Sequence, residues 1–109
     1  MTDDSSAHVV VVISAHPKLD EPLVDWLLQR EPSPGFSSFP IRGHSGDHEH
    51  LTIAEQVRGR QNRHRFDVIV ESARLNDFLR QLASDFGGAD LSYWAVPALA
   101  FGSLGDADD

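Results

Sequence analysis

Between Gly43 and Arg65 the chain reads GHSGDHEHLTIAEQVRGRQNRHR, and this stretch holds four of the six histidines. His44, Asp47, His48, Glu49 and His50 place five nitrogen and oxygen ligands within seven positions. In an extended segment His48 and His50 share one side, and imidazole with carboxylate suits a divalent ion such as Zn²⁺, Ni²⁺, Co²⁺ or Cu²⁺. The spacing is irregular, so a polar solvated loop is the competing reading. The second chemistry is cationic. Residues 42–65 contain Arg42, Arg58, Arg60, Arg63 and Arg65 against Asp47, Glu49 and Glu55, about +2 in a chain of net charge −8. Such arginines can hold a phosphate or a carboxylate. They can equally form salt bridges to Glu55, Asp67 or Glu71 across subunits. His64, flanked by two of them, reads as a structural hydrogen-bonding residue.

Other chemistries find little footing. The chain has no cysteine, which removes a disulfide framework, a thiolate metal site and a cysteine nucleophile. No nucleophile stands with a base, and no phosphate-cradling GxxxxGK[ST] occurs, so a non-enzymatic protein is expected. A small ferredoxin-fold enzyme is the minor alternative, by analogy of fold alone. With a pI near 5.0, nucleic acid is a poor partner. The opening MTDDSSAH has no basic region followed by an apolar one, and the longest apolar run is Val9–Ile13. Neither a secretory signal nor a membrane insertion is expected, and the cytoplasm is the expected location.

The elements that must present this stretch follow from periodicity. A single domain over residues 8–101 is expected, with residues 1–7 and 102–109 as solvated, flexible acidic tails. HVVVVISA (His8–Ala15) is a β-branched run suited to a central strand. Leu19, Leu23, Trp26 and Leu27 fall at helical spacing, and the helix should stop by Arg30 ahead of Pro32 and Pro34. Phe36–Arg42 reads as an edge strand because Pro40 cannot donate to a ladder. Thr52-x-x-Glu55 has capping-box spacing and predicts a short helix over Thr52–Arg60. Arg65–Ser72 reads as an interior strand. Leu75, Phe78, Leu79, Leu82 and Phe86 make the cleanest helical stripe, which Gly87 and Gly88 should end. Leu91–Phe101 completes the set, with Pro97 marking a second edge.

The order βαββαβ, with prolines in strands two and four, predicts an α+β ferredoxin-like sandwich whose antiparallel sheet has those strands at its edges. Apolar residues on both sheet faces cannot all pack under two helices, so an oligomer is expected. Trp26, Tyr93 and Trp94 then read as core or interface aromatics. His8 and His16 read as strand-end surface residues.

A ferredoxin-like domain with a long segment between strands two and three resembles the PII-like superfamily of trimeric signalling proteins. The words FPIRGH and AEQVRGR, within FxxFPIRGHxxDHEHLxxAEQVRGRQNRHRFDVIVE, are similar to a PII-like family often encoded beside heavy-metal efflux pumps of the resistance-nodulation-division type. The likeness runs from about His8 to Leu99. It implies a homotrimer that senses a small ligand, such as an adenine nucleotide, between subunits. Gly43–Arg63 would be the T-loop that signals to a protein partner, an efflux pump being one candidate. Asp85–Asp90 would line the cleft. In that loop Gly87 and Gly88 are present, but no Lys or Arg follows Arg80. Anion binding would then rest on Arg63 and Arg65 with the backbone at Gly43, with His44, Arg58 and Arg60 nearby.

Overall fold

The computed structural model describes residues 7–43 and 61–105. His44, Asp47, His48, Glu49, His50, Arg58, Arg60 and the helix expected over Thr52–Arg60 lie outside the described residues.

Four strands and two helices make the fold: β1 (His8–Ala15), α1 (Asp20–Leu28), β2 (Gly35–Gly43), β3 (Gln61–Glu71), α2 (Leu75–Phe86) and β4 (Leu91–Ala98). A 3₁₀ turn leads into each helix, Pro17–Leu19 before α1 and Ser72–Arg74 before α2. The sheet is antiparallel throughout, in the order β2-β3-β1-β4. This small α+β domain is compatible with a ferredoxin-like fold. No helix among the described residues is long and apolar enough to cross a membrane.

Strand alternation sorts the side chains between two faces. Val11, Ile13 and Ala15 of β1 share a face with Phe66, Val68 and Val70 of β3. Onto that face α1 lowers Leu23, Trp26 and Leu27, and α2 lowers Phe78 and Leu82. Both sets follow the i, i+3, i+4 rule that puts helical side chains on one stripe. Pro22 is tolerated in α1 because it sits in the first turn, where its missing N–H has no helical acceptor to serve. At the other end the Ser33 hydroxyl donates to the Leu27 carbonyl at 3.2 Å, occupying one of the acceptors a helix end leaves open.

Both prolines that lie in strands, Pro40 and Pro97, fall in the edge strands β2 and β4. Two strand boundaries differ from expectation by more than one residue. β3 begins at Gln61, four residues before Arg65, because β2 runs on to Gly43 and supplies partners as far as the Gly43–Gln61 pair. The last three residues of the stretch expected to be loop, through Arg63, are therefore strand. β4 ends at Ala98 and not at Phe101, because Ala98 pairs with His8, the first residue of β1, and the ladder has no partner beyond it.

The opposite face carries no helix. Its rows are Ser37, Asp67, Val12 and Trp94, then Phe39, Arg65, Ser14 and Ser92. Val12 is only 3% exposed here, roofed by its neighbours' side chains. Phe39, Trp94 and Val96 remain 40%, 50% and 44% exposed. Exposed aromatic and branched side chains thus gather on this one sheet face.

Candidate functional site

The candidate residues that can be placed gather at one end of the sheet, where β2 and β3 give rise to residues 44–60 and where β1 ends and β4 begins. Arg63 dominates this end. Among the described residues it is the one buried charged side chain, 8% exposed. Each of its three guanidinium nitrogens has a partner. Nε donates to Ser14 Oγ at 2.9 Å, Nη2 to the Ser14 carbonyl at 2.7 Å, and Nη1 to Asp90 Oδ1 at 2.8 Å. Arginine suits this position because its planar fork satisfies three acceptors at once, which a lysine could not match in geometry.

Gly43 is explained by the same side chain. A Cβ at Gly43 would lie 3.0 Å from Arg63 Cγ, so its absence lets the aliphatic stem of Arg63 pass close to the end of β2. The Asp90 carbonyl also accepts from the His16 backbone N–H at 3.0 Å. The segment before β4 is thus tied to the end of β1 by main chain and to the start of β3 by a charge pair. This end is a clasp joining three elements.

Arg65, two residues on, lies on the same face but is built differently. Its Nε donates to Asp67 Oδ1 at 2.7 Å within the same strand, so the pairing with Asp67 is made inside one chain. The guanidinium lies between two rings, 5.6 Å from the Phe39 centroid and 5.8 Å from that of Trp94. Flanking aromatics favour a cation there. Being about one-third exposed, Arg65 can still offer a donor to an arriving group, whereas Arg63 is buried with each of its three nitrogens already engaged.

Gly87 and Gly88 have local reasons of their own. A Cβ on Gly87 would fall 2.5 Å from the Ala83 carbonyl oxygen, and Gly88 holds φ at +88°. Both glycines are what the end of α2 needs to turn toward β4. His64 faces the helices, with Nε2 3.2 Å from Asp20 Oδ1, tying β3 to the first turn of α1. Trp26 is buried, donates to Asp85 Oδ2 at 2.6 Å, and meets Phe78 and Phe86 edge-on. It is a core aromatic that fastens α1 to α2. His16 accepts from the Lys18 backbone N–H, and His8 packs on Phe101.

The resemblance implied Gly43, Arg63 and the segment before β4 around a cleft between subunits, and sequence reasoning missed Ser14 and Asp90 as the partners of Arg63 within one chain. Asp90 lies 27 residues away in the chain, and only the register of β3, β1 and β4 makes them neighbours. Among the described residues no three His, Asp or Glu side chains are grouped to hold a metal ion. The metal expectation therefore rests wholly on His44, Asp47, His48, Glu49 and His50.

The model of the family described as a protein of unknown function (DUF3240) matches residues 5–105. A solved structure, the crystal structure of a DUF3240 family protein from Shewanella baltica OS155, is 24% identical with a TM-score of 0.74. That likeness covers 91% of this chain and 98% of the other, and at this identity it speaks for the fold alone. Comparison with curated proteins finds no match.

Proposed function

The chain belongs to the DUF3240 family, and we propose that it is a non-enzymatic regulatory protein of the PII-like kind. In this reading three copies assemble through the helix-free sheet face, and a small ligand binds in the clefts between them. The segment leaving Gly43 and returning at Gln61 then signals the ligand's presence to a protein partner. A link to heavy-metal efflux follows from the sequence resemblance.

The observation that carries the reading is the Arg63 clasp. A signalling loop needs a base whose position depends on the ligand site. Here one buried side chain joins the loop's returning strand to Ser14 of β1 and to Asp90 at the entry of β4. A ligand that shifts Asp90 changes a charge-assisted contact at the loop's root. This supplies a two-state element that differential binding can bias. The exposed Phe39, Trp94 and Val96 support assembly, since a domain of this size gains stability by covering such a face.

Light scattering should give a mass near three times the 12.0 kDa of one chain, and a monomer at micromolar concentration overturns the trimer. Calorimetry with adenine nucleotides and separately with Zn²⁺, Ni²⁺, Co²⁺ and Cu²⁺ then distinguishes the ligand classes. Nucleotide binding that Arg65→Ala weakens and that a combined His48→Ala and His50→Ala change leaves intact supports the cleft. The reverse pattern makes the chain a direct metal sensor or chaperone. Binding of neither class overturns ligand sensing and leaves the segment as a protein-docking surface.

A further inference from the structure

At the end of the sheet remote from Gly43 and Gln61, a cavity of about 490 Å³ opens between the chain leaving α1, the end of β3 and the first turns of α2. This falls within the roughly 300–1,000 Å³ usual for small-molecule sites. Its apolar surfaces come from Pro32, Pro34, Val70 and Phe78, and Phe101 closes one side where it packs on His8 at 4.7 Å between ring centroids.

The charges around it are informative once those already spoken for are set aside. Arg74 is paired with Glu71 at 2.7 Å. Asp77 accepts from Gln81 Nε2 at 2.7 Å and from Arg80 at 3.3 Å. Two charges remain without an opposite partner among the described residues, Arg30 and Glu31. They are neighbours in the chain, both line the cavity, and they make no ion pair with each other. The Arg30 guanidinium carbon lies over Trp26, 4.1 Å from the ring centroid, and Nη1 donates to Gln81 Oε1 at 2.7 Å. Its Nε is buried with no hydrogen-bond partner. This guanidinium lines the cavity and, beyond the one N–H given to Gln81, keeps Nη N–H groups with which an arriving carboxylate can pair. Glu31 offers the complementary acceptor for an ammonium group.

We propose that this cavity is a binding site for a small zwitterion with an apolar body, an apolar α-amino acid or short peptide. Its carboxylate pairs with Arg30, its ammonium group pairs with Glu31, and its side chain lies on Phe78 and the prolines. A simple anion meets Glu31 and a simple cation meets Arg30, so both are disfavoured. The site is independent of the Arg63 clasp, since the two lie at opposite ends of the strands.

Calorimetry on the full chain with L-phenylalanine, alanyl-phenylalanine, 3-phenylpropionate and 2-phenylethylamine tests this. The two zwitterions should bind. The probes lacking one charge should bind at least about tenfold more weakly. Arg30→Gln should weaken the zwitterions by at least a similar factor. Glu31→Gln, in a surface turn where folding is not at stake, should erase the preference for L-phenylalanine over 3-phenylpropionate. Arg65→Ala should change nothing at this cavity. If no probe binds the natural chain, or if Glu31→Gln leaves that preference intact, the proposal is overturned.

Discussion

Replacing Arg63 by Ala removes three hydrogen bonds at once, of 2.9, 2.8 and 2.7 Å. The cost can be worked from the surroundings of each acceptor. Asp90 is 41% exposed, so its carboxylate regains water when the guanidinium goes. That contact belongs with partly exposed ion pairs, worth about 0–1 kcal/mol. Ser14 is half-buried in a central strand, and leaving its carbonyl and hydroxyl unmatched costs on the order of 1–3 kcal/mol. Together these give a loss of about 1–4 kcal/mol for Arg63→Ala, whereas Asp90→Asn, which keeps an acceptor in place, should cost under about 1 kcal/mol. Urea denaturation at one fixed protein concentration is the assay, because assembly would make apparent stability concentration-dependent. If Arg63→Ala lies within about 0.5 kcal/mol of the natural chain, where ordinary surface changes fall, the clasp holds nothing. If Asp90→Asn costs as much as Arg63→Ala, the anchor is the ion pair and not the β1 contact, which refutes the assignment of most of the cost to Ser14.

Gly87→Ala should destabilise by about 1–3 kcal/mol because its Cβ meets the fixed Ala83 carbonyl oxygen at 2.5 Å, an overpacking that backbone must absorb. Gly35→Ala, with nothing within 4 Å of the new Cβ, is the control and should stay within about 0.5 kcal/mol in the same urea titration. Phe66→Ala should cost about 3–5 kcal/mol, since the ring is fully buried at the centre of the core and its removal leaves a cavity between two layers. A thermal scan in which Phe66→Ala melts with the natural chain would contradict this placement of the core.

Much of the fold was legible because each signal had one physical meaning. The unbroken β-branched run of β1 matches a strand flanked on both sides. Prolines in β2 and β4 match strands whose outer N–H groups have no ladder to join. The stripe Leu75, Phe78, Leu79, Leu82 and Phe86 matches a helix with one covered face. The ends of β3 and β4 were not legible. Where a strand stops is set by how far its neighbour extends, and the Gly43–Gln61 and His8–Ala98 pairs are properties of register, not of local composition.

The candidate site shows the same division more sharply. Arg63 and Arg65 look alike in sequence, where the first ends the expected loop and the second opens the expected strand; the longer β3 puts both on one face. The partner of Arg65 was within reach of the same rule, since Asp67 is two residues further along that face. The partners of Arg63 come from β1 and from the entry to β4, and no spacing rule connects them to it. The consequence bears directly on ligand binding. Arg63 is committed to Ser14 and Asp90, so of these two arginines an arriving anion either uses Arg65, still one-third exposed between Phe39 and Trp94, or reaches Arg63 by taking the place of the Asp90 carboxylate. The first route binds without disturbing the base of the 44–60 segment. Only the second opens the clasp, and so a ligand that signals through this segment should compete with Asp90 rather than merely approach Arg65.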